Sequence, residues 1–239
     1  MDLQNAFSSC PETFDRAHIC IRRSGETESR TEPVLAEHSL IVVANGKVLA
    51  SLICLPRYLP ELVMGHLLTQ GYIHTSADVQ SLHISPDGQT AKVTICQQTA
   101  PMTAVSPIPW NTDWVFALAD RFARGMPLHE MTFATHSCFL AREDQILFGC
   151  EDIGRHNALD KAVGYALLQG IDLTECMLYS SGRMPTDMVS KAIRAKIPVL
   201  VSKGSPTGPA VDLAKQYGLT LICAARQDRM KQFSGTKPE

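Results

Sequence analysis

The chain has 239 residues, 45% of them hydrophobic, and a formal charge of -2, which is enough apolar material for one large domain or a core domain with a smaller part attached. The balance of acid and base excludes the broad basic footprint of a nucleic-acid binder, so any anion site has to be local. The first residues lack a basic start followed by an apolar run, no apolar stretch reaches the ~18 residues that spanning a membrane needs, and eight scattered cysteines without a C-x-x-C pair read as reduced thiols of a cytoplasmic protein.

In chain order, residues 1–36 are polar, carry ETESRTEP and read as a mobile or loosely docked lead-in. Ser39–Ala44 and Lys47–Cys54 are β-rich runs around Asn45-Gly46, a dipeptide suited to a type I′ hairpin. LPELVMGHLLTQG predicts a helix with Pro60 in its first turn and Gly71 past its end. A second hairpin, SLHISPDGQTAKVTIC, turns at Pro86-Asp87-Gly88. Gln97–Pro109 has no periodic apolar signal and reads as an exposed loop, after which Asn111 or Thr112 caps a helix ending near Arg124 and Gly125.

Beyond Phe133 strands and helices alternate: strand Ile146–Cys150, helix His156–Gln169, strand Met177–Ser180, helix Thr186–Ala195, strand Pro198–Ser202, helix Gly208–Tyr217, strand Thr220–Ala224. Short apolar strands between amphipathic helices predict right-handed crossovers, an α/β class and a mostly parallel C-terminal sheet. The implied organisation is a lead-in (1–36), a smaller antiparallel N-terminal part with hairpins (37–130) and a C-terminal α/β part (131–239).

Ligands of open α/β sheets bind at the carboxyl ends of strands, against helix N-termini. The unusual residues fall at those junctions: Gly154, Arg155 and His156; Ser181, Gly182 and Arg183; Lys203, Gly204, Ser205 and Thr207; Arg226 and Arg229. Each is an ordinary loop residue taken singly, but their convergence favours a pocket for an anion, of which a diphosphate is the natural example. Arginine matches phosphate with a two-pronged fork, whereas lysine acts as a point charge. Within EDIGRHNALDK (Glu151–Lys161), Asp152 suits a helix N-terminus and Asp160 with Lys161 a solvated face, leaving His156 and Asn157 for a site. His156 reads equally as a general base or as a neutral hydrogen-bonding element.

That motif, with SSGRMPTDMVSKAIRAKIPVLVSKGSPTGPAVDLAKQYGLTLICAARQDR after it and LPELVMGHLLTQGYI behind the VANG hairpin, resembles the FdhD family over about residues 31–235. The resemblance implies a three-layer fold related to cytidine deaminases, a homodimer, and a role in passing sulfur from a cysteine desulfurase to the bis-molybdopterin guanine dinucleotide cofactor, with molybdenum or tungsten, of formate dehydrogenase. It implies cofactor contacts at Gly154, Arg155, His156, Asn157, Gly182, Arg183, Lys203 and Ser205, and along the C-terminal stretch Ala224, Ala225, Arg226, Gln227, Asp228 and Arg229, with guanine nucleotides as partial mimics of the cargo. His136 aligns with a histidine of the family's GGVHAA-type segment.

Sulfur transfer in the family relies on a C-x-x-C pair in the loop before that histidine, and here Gln97–Ser137 contains no cysteine. A persulfide needs a thiolate that Ser and Thr cannot replace. Cys96 and Cys150 are expected to be packed on strands, so any carrier activity passes through Cys138 beside His136 or is absent, and Cys138 reads either as a substitute thiol or as a buried structural cysteine. The alternatives are a nucleotide or cofactor carrier without sulfurtransferase activity, and a zinc-dependent deaminase-like hydrolase, for which the P-C-x-x-C pair and the Glu after the histidine are missing.

Overall fold

The computed structural model of the chain describes residues 1–96 and 101–239. The strands are β1 (Asp2–Asn5), β2 (Thr13–Ile21), β3 (Thr27–Leu35), β4 (His38–Ala44), β5 (Lys47–Cys54), β6 (Val79–Ile84), β7 (Thr90–Ile95), β8 (His136–Arg142), β9 (Gln145–Asp152), β10 (Met177–Ser180), β11 (Val199–Ser202), β12 (Thr220–Cys223) and β13 (Lys231–Ser234). The helices are α1 (Leu59–Thr69), α2 (Thr112–Ala123), α3 (Pro127–Thr132), α4 (Arg155–Gln169), α5 (Thr186–Arg194) and α6 (Gly208–Tyr217).

Local chemistry explains most boundaries. Asn45 and Gly46 both take positive φ, as the tight turn between β4 and β5 demands. The Asn111 side chain accepts the Asp113 amide at 2.7 Å and starts α2. Gly170 and Gly218 close α4 and α6 in the left-handed region.

One sheet has the order β1-β6-β7-β4-β5 and the other β13-β12-β11-β10-β8-β9. The α/β class holds, but the second sheet is mixed. β10, β11 and β12 run parallel, whereas β8, β9 and β13 flank them antiparallel. The reason is β8, which hairpins into β9 and reverses the direction of that half of the sheet. The three parallel strands are buried on both faces, with α4, α5 and α6 contributing to the core on one side and α2 to that on the other. The N-terminal sheet is mixed as well, since β1 and β4 pair parallel with β6 and β7.

The lead-in is not loose throughout. Its first strand joins the N-terminal sheet, and β2 and β3 form a long antiparallel hairpin. Part of the expected loop, residues 97–100, lies outside the described residues; 101–109 carry neither helix nor strand.

Helices α1 and α4 join the two parts. They cross so closely that a Cβ on Gly65 would stand 1.8 Å from the Asp160 carbonyl oxygen, and one on Gly164 1.8 Å from that of Glu61. Only glycine permits this approach. Two buried ion pairs surround it. Lys161 Nζ meets Asp152 Oδ2 at 2.6 Å and donates to the Leu55 carbonyl at 3.2 Å, while Leu55 N–H donates to the same carboxylate at 3.1 Å. Lys191 Nζ meets Asp160 Oδ2 at 2.6 Å, and Thr69 Oγ1 donates to Asp160 at 2.8 Å. Asp160 and Lys161 are therefore buried, not a solvated face.

Candidate functional site

The carboxyl ends of β10, β11 and β12 are tied together in steps. The Lys203 amide donates to the Ser180 carbonyl (2.9 Å), the Ala225 amide to Ser202 (3.0 Å) and the Ala224 amide to Gly204 (2.7 Å). Ser202 Oγ donates to the Gly182 carbonyl at 2.5 Å and accepts the Gly204 amide at 2.8 Å. Both glycines are there for close approach. A Cβ on Gly182 would lie 2.8 Å from the Arg155 side chain, and one on Gly204 2.6 Å from the Gly182 carbonyl oxygen. The stem of Arg155, the first residue of α4, thus rests on the 182 loop, which rests on the 204 loop.

This staircase brings Arg155, Arg183, Lys203 and Arg226 to one edge. Arg183 and Lys203 are exposed. Arg226 donates through Nη1 to the Lys203 carbonyl and, at 2.9 Å, to that of Ala225. The Nε of Arg155 is buried without a hydrogen-bond partner, so its guanidinium keeps unspent donor capacity beside three other cations.

Beside the edge lies a cleft of about 720 Å³, its floor formed by His136, Ser181, Lys203 and Arg226 and its far wall by the segment from Phe122 to Thr135. Ser181 Oγ accepts the Ser137 amide at 3.0 Å and stands 3.0 Å from His136 Nδ1. Burial pushes the His136 pKa down, and the guanidinium of Arg155 adds to this; the imidazole is neutral at pH 7. A second hollow of about 420 Å³ shares Phe122, Lys203 and Arg226 with the first and is bordered by Gln227, Asp228 and Arg229. There the Arg226 amide donates to the Arg229 carbonyl at 2.7 Å, closing a tight turn, and Gln227 reaches Asp120 at 3.1 Å.

Several expected site residues do other work. Asn157 is buried, its amide donating to the Ile53 carbonyl (2.7 Å) and to Asp152 Oδ1 (2.9 Å); it holds β5 to α4. Gly154 caps α4 and donates its amide to Asp152 at 3.1 Å. His156 turns to Asp187, with Nε2 3.3 Å from Oδ2; burial lowers its pKa although Asp187 opposes the shift. Ser205 uses its carbonyl to accept the Met184 amide at 3.0 Å. Ala224 turns the chain at the end of β12 with φ 49°.

Of the two readings of Cys138, the structure bears out the buried structural cysteine and not the substitute thiol. Its side chain has no exposure, and burial, with the neighbouring Cys150, pushes its pKa well above the usual thiol value; it is protonated and out of reach. Cys150 is buried as expected, with its pKa pushed up to about 12. Cys96 is exposed rather than packed, because it lies one residue past the end of β7. Cys10 is also exposed. Among the described residues no three His, Cys, Asp or Glu side chains group as a metal site requires.

The residues missed from the sequence are those of the far wall. Glu151, the first residue of the motif, accepts the Leu128 and His129 amides (3.0 and 2.7 Å) and the Thr135 hydroxyl (2.8 Å), so its carboxylate anchors α3 against the cleft. The only signal available was a carboxylate ahead of an apolar helix, which reads as a cap for the wrong helix.

The model of the FdhD/NarQ family matches this chain over residues 35–104 and 93–238. A protein from Listeria monocytogenes named sulfur carrier protein FdhD is 27% identical over 92% of this chain and 97% of its own length. One of the same name from Geobacillus kaustophilus is 28% identical over 87% and 90%. The crystal structure of a protein assigned as a formate dehydrogenase accessory protein from Desulfotalea psychrophila superposes with a TM-score of 0.84 at 28% identity, covering 94% of this chain and 98% of that one. No helix among the described residues is long and apolar enough to cross a membrane.

Proposed function

The chain belongs to the FdhD/NarQ family, and from that premise we propose that it serves the maturation of formate dehydrogenase by holding the bis-molybdopterin guanine dinucleotide cofactor as cargo while sulfur is added. In this reading the nucleotide phosphates sit at the strand edge. Arg155 and Arg183 orient them, Lys203 adds a point charge and Arg226 closes the C-terminal turn. The observation that carries the reading is the convergence of these four cations, with the buried Arg155 Nε still lacking an acceptor. The formate dehydrogenase catalytic subunit receives the loaded cofactor, and a cysteine desulfurase provides the sulfur. GDP at millimolar concentration is expected to raise the melting temperature, and Arg226→Ala to abolish the rise; an unchanged wild-type transition refutes the assignment.

A second reading, a cofactor holder that does not itself carry sulfur, is favoured by one observation: the segment 97–137 has no cysteine and Cys138 is sealed in the core. Sulfur transfer proceeds by thiolate attack on the terminal sulfur of a persulfide, so the acceptor must be reachable. Incubation with a cysteine desulfurase and cysteine, followed by intact mass, separates the two. A gain that survives Cys138→Ala and is lost in Cys10→Ser or Cys96→Ser establishes a carrier using an exposed thiol. Absence of any gain leaves the holder.

A further inference from the structure

Phe133 is 80% exposed, the most exposed large hydrophobic side chain among the described residues, and it stands on the rim of the 720 Å³ cleft. Its backbone has φ 53°, in the left-handed region that bulky residues avoid at a cost of order 1 kcal/mol or more. Neither feature helps folding. An aromatic ring left in water gains nothing from burial, and a glycine there would relieve the backbone.

The segment that carries the ring is nevertheless tied down. The Phe133 amide donates to the His129 carbonyl at 2.8 Å, and Thr132 Oγ1 donates to Leu128 O (2.7 Å) while accepting the Ala134 amide (3.3 Å). His129 meets the Phe133 ring edge-on at 5.9 Å, its own Nδ1 fixed on the Thr135 carbonyl at 3.0 Å. Glu151 clamps both ends of the segment through the Leu128 amide and the Thr135 hydroxyl. A largely exposed aromatic ring on a fastened segment thus lines the same cleft as Lys203 and Arg226.

We propose that Phe133 is a stacking platform for the flat, fused-ring heterocycle of the cargo, with the attached phosphates reaching the cations across the cleft. The inference rests on the reading of the cleft as a cofactor site and adds the residue that recognises the ring. Aromatic side chains stack on heterocyclic bases through their π-faces whatever the base, so the platform suits guanine and pterin alike.

The experiment compares wild type with Phe133→Gly and Phe133→Trp by calorimetric titration with GDP, pterin-6-carboxylate and inorganic pyrophosphate, alongside melting temperatures. Phe133→Gly suits the positive φ, so it is expected to fold at least as stably as wild type. It should bind the ring-bearing ligand about tenfold or more weakly, with pyrophosphate affinity unchanged and Phe133→Trp retaining tight binding. Loss of GDP affinity with retained pterin affinity assigns the platform to guanine, and the converse assigns it to pterin; both uphold the proposal. Equal affinity of wild type and Phe133→Gly for the ring-bearing ligands overturns it while leaving the cofactor site intact. An equal loss for pyrophosphate overturns it too, because the ring would then only shape the phosphate pocket. A change of oligomeric state with GDP affinity intact assigns the ring to a subunit contact and overturns it. If wild type binds neither GDP nor pterin, the reading of the cleft falls and the inference with it.

Discussion

The segment Glu151–Lys161 sends its charges to two places that obey opposite rules. At the junction of the two parts, Asp152 pairs with Lys161 and Asp160 with Lys191, with the carboxylate oxygens and ammonium groups satisfied and the side chains almost wholly out of water. A few residues away Arg155, Arg183 and Lys203 gather along a staircase of glycines, and among the described residues no ion pair with a carboxylate is formed by any of the three. In the first region opposite charges are matched and hidden, so they specify how the chain closes. In the second like charges are gathered at an open edge, an arrangement that costs folding energy and makes sense when an anion completes it.

The sharpest way to break this comparison is to remove one member of a buried pair. Lys161→Ala leaves Asp152 charged in the core and is expected to lower unfolding free energy by about 3–5 kcal/mol, measured by urea denaturation. A loss under about 1 kcal/mol would place the pair among surface bridges.

Asn157→Ala sharpens the contrast, because the same residue looks like a ligand in the sequence. It removes one donor from the Ile53 carbonyl and one from Asp152 Oδ1, which keeps the Gly154 amide, so stability should fall by about 1–3 kcal/mol while the GDP-induced melting shift is retained. Retained stability with a lost shift would return Asn157 to the site.

Acid tests the junction by another route. Burial alone pushes the Asp160 carboxyl up, but the Lys191 ammonium and His66 outweigh it and hold it below its usual 3.8. The folded-state value is thus depressed, so its contribution is complete above that pH and is lost as pH falls through the folded value. Denaturation midpoints of wild type should drop more steeply below about pH 4 than those of Asp160→Asn. Parallel slopes would show that other carboxylates dominate.

The smallest effect on folding belongs to the edge. Arg183→Ala and Lys203→Ala should each change stability by no more than about 0.5 kcal/mol and still weaken GDP binding clearly. Equal losses in both would mark them as structural.

What was legible in the sequence follows the same division. Asn45-Gly46, Pro60 with Gly71 and the apolar strands β10 to β12 carry local signals, and the strand-end rule located Arg155, Arg183, Lys203 and Arg226 without contact information. The β2–β3 hairpin escaped because it is exposed on nearly every residue, which leaves no alternation to read. Helix α3 is a single short piece starting at Pro127, and β13 is four polar-rich residues. Asn157 was misread because its partner, the Ile53 carbonyl, comes from the other part of the chain. Cys138 stayed open between two readings because nothing in ATHSC says that the thiol lies in the core while His136 beside it reaches the cleft.

The glycine crossing of α1 and α4 has a consequence in time. Gly65 and Gly164 are far apart in the chain, so during synthesis the first helix must wait with its bare face open until the second has emerged. Arg155 opens that second helix, and its stem finds the Gly182 loop only once the crossing has closed. Binding competence is therefore a late event, and an incomplete chain offers the cargo no finished edge. On refolding, the uptake of a fluorescent GDP analogue should lag behind the return of helical signal, and Gly164→Ala, which forces the helices apart, should lengthen the lag.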